Sequence, residues 1–158
     1  MNMSRFAKRL IRQKFLARSE RGQSLVEMTL GFVILLLVAS GLLDLGRLYF
    51  VYVALEDGAG EAATYLAINP ACAYATDGAN CADPSNAEFR ASTAGGHLVD
   101  WSDATVTITR PDPYAQGDEI GVQIAYPFKL LTPVIPDIAG ANTITLTADA
   151  KSVVLPSS

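Results

Sequence analysis

Sixteen consecutive residues, Met28 to Leu43, carry no charge, and they read Met-Thr-Leu-Gly-Phe-Val-Ile-Leu-Leu-Leu-Val-Ala-Ser-Gly-Leu-Leu. As a helix this run spans roughly 24 Å, short of a ~30 Å hydrocarbon core, so flanking residues must complete a membrane crossing. Gln23 to Val26 serve on one side and Leu45 to Leu55 on the other, where Tyr49, Phe50 and Tyr52 suit the lipid–water boundary. No proline precedes Pro70, so nothing interrupts a helix from about Ser24 to Ile68. After Leu55 the helix changes character. Leu55, Ala59, Ala62, Ala63 and Leu66 fall on one face, suited to packing against a folded head.

Charge orients this segment. Residues 1–21 hold seven basic side chains (Arg5, Lys8, Arg9, Arg12, Lys14, Arg18, Arg21) against one acid, while the remainder holds five against fifteen. A +6 head beside an apolar run predicts an N-terminus kept in the cytoplasm and a −10 body left outside. The acidic body also argues against nucleic acid as a partner. With half of its 158 residues hydrophobic, the chain is neither disordered nor collagenous, and its length suits one core. A cleaved secretory signal is the alternative reading, with Val38-Ala39-Ser40 before Gly41 as the small-residue site. Against it, the apolar helical pattern runs straight through that point.

Glu27 stands at the start of the apolar run. An ionised side chain at bilayer depth costs about 2.5–3.5 kcal/mol, so it needs a partner or a headgroup-level position near the helix start. Its neighbours form the series Arg21-Gly22-Gln23-Ser24-Leu25-Val26-Glu27-Met28: basic leader, glycine, glutamate at the fifth residue beyond, apolar run. This resembles a type IV prepilin processing site. The resemblance implies cleavage by a membrane-embedded prepilin peptidase after Gly22, leaving Gln23 as the new N-terminus. It also implies that Glu27 neutralises a subunit amine inside the assembled helix bundle.

Asp44 and Arg47 follow at i and i+3, read from the residues alone as a helix-surface ion pair marking where the helix leaves the membrane. With Gly22–Glu27 and the Leu/Val run, the segments Leu43-Asp44-Leu45-Gly46-Arg47-Leu48, Tyr52-Val53-Ala54-Leu55 and Glu61-Ala62-Ala63 are similar to the TadE-like pseudopilins of tight-adherence (Tad/Flp, type IVc) pilus systems over about residues 20–68. Met28 departs from the tyrosine of major Flp pilins and argues against that role. Asp57-Gly58 departs from the regular polar-alanine helix usual in the family. The resemblance implies a minor pseudopilin, with other pilins or pseudopilins and the Tad assembly platform as partners beside membrane lipid.

After Pro70 the composition turns to loop chemistry, with Asn69-Pro70, Thr76-Asp77-Gly78-Ala79-Asn80 and Asp83-Pro84 as turn formers. Cys72 and Cys81, the only cysteines, flank that stretch, and outside the cytoplasm they favour a disulfide. One histidine, His97 after Gly95-Gly96, cannot complete a zinc tetrad with two cysteines, and neither metal nor cofactor is expected. Ser85-x-x-Glu88 has capping-box spacing for a helix from about Asn86 to Ala94, stopped by the glycine pair. Period-two alternation then predicts three strands: Val106 and Ile108; Ile120, Val122, Ile124 and Tyr126; and Ile144, Leu146 and Ala148 among threonines. Turn formers between the first two predict a hairpin.

Residues 126–136, with three prolines and an apolar load, read either as a packed crossover loop covering the sheet edge or as a patch touching a partner or lipid. The predicted fold is α+β, a pilin-like lollipop: a long N-terminal helix, membrane-spanning in its first half, packed on a small antiparallel sheet. It divides into a basic leader (1–22), a helix (23–68) with a transmembrane segment at about 25–48, a disulfide-bearing loop and short helix (69–100), and a sheet (101–158). No nucleophile–base pair or phosphate loop supports catalysis, since Gly58-x-Gly60 lies within a helical pattern. No small-molecule substrate is expected. A structural pseudopilin is the leading reading; an unprocessed, single-pass anchored binding or scaffold protein is the alternative.

Overall fold

The first proline after the apolar run does end the helix. In the computed structural model, α1 (Met3–Ile68) is continuous, and Asn69, disfavoured from helix by the following Pro70, closes it with its N–H on Tyr65 O at 2.9 Å. The structure describes the backbone over residues 3–132 and 140–156 and side chains over 22–132 and 140–156. The side chains of the basic leader and the segment Pro133–Pro136 lie outside the described residues. The chain divides into two compact units, Met1–Leu42 and Leu43–Ser158.

In the first unit every side chain from residue 22 to 39 is exposed, apolar ones included. This stretch supplies the window that makes the helix long and apolar enough to cross a membrane. The helix passes unbroken through Val38–Gly41, without the helix break that normally precedes a secretory cleavage site.

The second unit is a two-layer α+β arrangement. Strands β1 (Thr105–Thr109), β2 (Glu119–Lys129) and β3 (Thr143–Val153) form an antiparallel sheet in sequence order, with Val106 opposite Ile124 and Ile124 opposite Ala148. β1 and β2 are the expected hairpin. Ile120, Val122, Ile124 and Phe128 from β2, with Leu146 and Ala148 from β3, are buried in one cluster with Leu55, Ala59, Ala62, Ala63 and Leu66 of α1. The alanines let the sheet lie close to the helix axis, and the full burial of Leu55 and Leu66 contributes about 1.5–3 kcal/mol each.

Several local expectations are corrected. Pro127–Lys129 is not loop but the end of β2, which tolerates Pro127 because β1 stops pairing at Ala125 and one side of the strand there is free. β3 runs five residues past Ala148, and Ile144, expected on the inner face, is 39% exposed. The short helix α2 (Ala87–Gly95) is capped by Asn86, whose Oδ1 accepts from Phe89 N at 2.8 Å. With the cap one residue later than Ser85, Glu88 falls at the second helical position and cannot complete a capping box. At the other end Gly96 takes φ 65°, the left-handed stop expected of the glycine pair.

The Asp57-Gly58 departure does not break α1; it makes room for α2. A Cβ on Gly58 would sit 2.8 Å from Ala91 O, and one on Gly95 would sit 2.7 Å from Ala54 O. The two helices therefore touch backbone to backbone, glycine against carbonyl on each side. Trp101 seals the crossing: its ring would meet either added Cβ within 3.1 Å, and its Nε1 donates to Gly96 O at 2.9 Å.

Candidate functional site

The expected processing and assembly residues all lie on the exposed part of α1. Gly22 and Gln23 are exposed, nothing approaches within 4 Å of a Cβ built on Gly22, and Gln23 Nε2 donates to Glu27 Oε1 at 3.2 Å. One helical turn thus connects the expected new N-terminus to the carboxylate. The i, i+4 spacing puts residues 23 and 27 on one face, so an amine created at Gln23 would start its life beside Glu27. Thr29 returns its hydroxyl to Leu25 O at 2.7 Å, which hides a polar group from lipid within the helix. Glu27 itself is exposed, with no cation beside it among the described residues.

Asp44 is a different matter. The expected surface pair with Arg47 exists, at 3.5 Å, but Asp44 is only 4% exposed and its main partners come from the far end of the chain. The carboxylate accepts from Leu131 N at 3.2 Å on both oxygens, from Thr132 N at 2.8 Å, and from the Thr132 hydroxyl. Arg47, half exposed, lies flat over the Phe128 ring with Cζ 5.2 Å from its centroid. Asp44 is therefore not an exposed surface partner of Arg47 alone but a buried clamp that holds the chain leaving β2 against α1. Charge spacing on the helix showed Arg47; the backbone donors at 131 and 132 left no mark in the sequence.

Cys72 and Cys81 form the expected disulfide, with Cα atoms 5.0 Å apart, and neither belongs to the core cluster. The loop they close is held by polar contacts that sequence reasoning missed. Asp77 Oδ2 accepts from Ala73 N at 2.9 Å, from Tyr74 N at 3.1 Å and from Arg110 Nη2 at 3.1 Å, while Arg110 Nη1 donates to Pro70 O. The Tyr74 hydroxyl accepts from Ile108 N at 3.1 Å and donates to Val106 O at 3.4 Å, on the outer side of β1. Asn86 Nδ2 donates to Cys81 O at 3.0 Å and to Asp83 Oδ1 at 2.6 Å, so one buried amide caps α2 and ties it to the bridge. In the sequence Asp77 is visible only as a turn former and Asn86 only as the start of a helix, while Tyr74 carries no signal.

His97 is exposed, as expected of a loop residue. Among the described residues no group of three or more His, Cys, Asp or Glu side chains could hold a metal. What the first unit offers is an exposed apolar helix with a carboxylate, Glu27, at its start.

No curated protein and no solved structure gives a significant match to the chain. A family match does exist, to the family described as TadE-like protein, over residues 22–64. It begins at the glycine of the processing motif and ends on the alanine-rich face that meets the sheet, within the stretch where the motif order pointed to the same family. Over residues 22–64, then, the chain is similar to the family described as TadE-like protein.

Proposed function

We propose that the protein is a minor pseudopilin-like structural component of a Tad/Flp pilus or related secretion apparatus, without enzymatic activity of its own. It enters the cytoplasmic membrane through α1 with its N-terminus in the cytoplasm, is cleaved by a prepilin peptidase after Gly22, and joins other pilins or pseudopilins through the exposed helix. The observation that carries this reading is the unbroken presentation of Gly22, Gln23, Glu27 and the apolar run on one exposed helical segment that matches the TadE-like family. An exposed apolar surface of this length needs lipid or neighbouring helices to cover it.

Assembly follows from charge. Glu27 in lipid is costly alone and tolerable when paired, so the gain on leaving the bilayer for a bundle lies in meeting a subunit amine. N-terminal sequencing of protein co-expressed with its peptidase tests the processing step: Gln23 as first residue is expected, the initiator region indicates the unprocessed anchored protein, and Gly41 a secreted one. Glu27→Leu tests the assembly step. It removes a charge that costs about 2.5–3.5 kcal/mol at bilayer depth, so membrane abundance should hold or rise while recovery in sheared pili falls. Normal incorporation of the variant would leave Glu27 without a role in assembly.

A further inference from the structure

The clamp at Asp44 holds the backbone of a residue whose large apolar side chain stays exposed. Leu131 donates its N–H to Asp44, yet its side chain is 71% exposed, and it follows a strand whose other large apolar residues are mostly turned inward. On α1, Leu43 and Leu45, either side of Asp44, are as exposed as Leu131. The uncharged run of α1 ends at Leu43, and Asp44, the next residue, holds the N–H of Leu131.

We propose that Leu131 seats in the lipid–water boundary beside the point where α1 leaves the bilayer. The occupant is the interfacial region of the bilayer that α1 crosses. Three features favour lipid over a protein partner. The patch is continuous with exposed apolar residues of the spanning helix, Leu43 and Leu45. The boundary aromatics Tyr49 and Phe50 are exposed just over one turn farther along α1. Finally, Arg47 and Lys129, two of the five basic side chains after residue 21, flank the patch with solvent-exposed ends that can reach headgroup phosphates while keeping their pairs with Asp44 and Asp103. The carboxylate is itself screened from lipid by Thr132 and Leu131, which is what allows an acid next to the apolar run.

This inference rests on the reading of α1 as a membrane-inserted helix, and the test separates the two. Leu131→Cys, Leu35→Cys and Asn80→Cys variants of the full chain are labelled with an environment-sensitive fluorophore without reductant, so that the Cys72–Cys81 bridge does not react. Each is reconstituted at low density into phosphatidylcholine–phosphatidylglycerol vesicles. Residue 80 lies in the loop beyond the far end of α1 and reports bulk water. The label at 131 should emit to the blue of the label at 80, resist iodide, and be quenched by spin labels carried at headgroup depth. If 35 is quenched from within lipid while 131 behaves like 80, the seating of Leu131 is wrong and insertion stands. If 131 resists iodide yet lipid-borne spin labels leave it untouched, protein covers it and the proposal falls. If 35 is also open to iodide, insertion fails and the seating fails with it.

Discussion

Replacing Asp44 by alanine is the sharpest probe of how the head is attached to its helix. The change removes the acceptor for two backbone N–H groups and one hydroxyl. Thr132 is buried, so neither its N–H nor its hydroxyl can be rehydrated in place. A buried donor left unsatisfied costs about 1–3 kcal/mol, which gives roughly 2–6 kcal/mol for the two donors of Thr132 alone. Arg47 adds little, being half exposed and 3.5 Å away. The loss is limited by a second route: the chain after β2 can peel off and expose its donors to water, so the measured effect cannot exceed the free energy of that local opening. We expect Asp44→Ala to destabilise the head by about 2–4 kcal/mol and Asp44→Asn, which keeps one acceptor oxygen, by about half as much. Urea unfolding of the full chain in detergent micelles, followed through the single tryptophan at the α1–α2 crossing, reads this directly. A double-mutant cycle with Thr132→Val should show a coupling of about 1–3 kcal/mol, whereas strict additivity or a loss under about 0.5 kcal/mol would refute the clamp.

Three further outcomes are expected. Gly22→Leu, co-expressed with the cognate peptidase, should keep the precursor mass, because the enzyme must fit backbone closely at a position without a side chain; the mature mass would remove the assigned cleavage site. Protein taken from the envelope under acid quench should not alkylate at Cys72 or Cys81 without reductant, and the Cys72→Ser/Cys81→Ser pair should lose about 2–3 kcal/mol through the freed nine-residue separation while the core stays intact. Gly95→Ala should destabilise by about 1–3 kcal/mol despite alanine's roughly 1 kcal/mol advantage in helix propensity, since its methyl would lie 2.7 Å from Ala54 O and press on the Trp101 ring; a rise in stability on denaturant unfolding would contradict the close crossing.

The parts of this protein that were legible in its sequence are those governed by period and by chain order. The inner face of α1 announced itself at helical spacing from Leu55 to Leu66, and Ile120, Val122 and Ile124 did so at spacing two, because burial of one face imposes those periods. Contacts made through backbone atoms were not legible. Asp44 looked like the partner of Arg47 because the sequence shows side-chain charges, while its strongest bonds go to N–H groups 87 and 88 residues away. Gly58 looked like a flaw in a helix because a missing side chain names no neighbour. Asn86 rather than Ser85 caps α2, a choice set by the bridge beside it and not by local spacing. An acid at the end of an apolar run, without an evident reason for its cost, was the one available signal for the clamp.

The Tyr74 hydroxyl has a consequence for self-association. By taking the outward N–H of Ile108 and C=O of Val106, it occupies the middle of the free side of β1, a strand of only five residues. Among the described residues the open side of β3 is then the one long edge where another strand could add. Two copies pairing β3 to β3 form a two-fold contact in which each edge consumes the other, an arrangement that closes at a dimer and cannot propagate. Among the described residues the sheet edges thus offer no route to an open polymer, which leaves the exposed helix as the surface for unlimited growth.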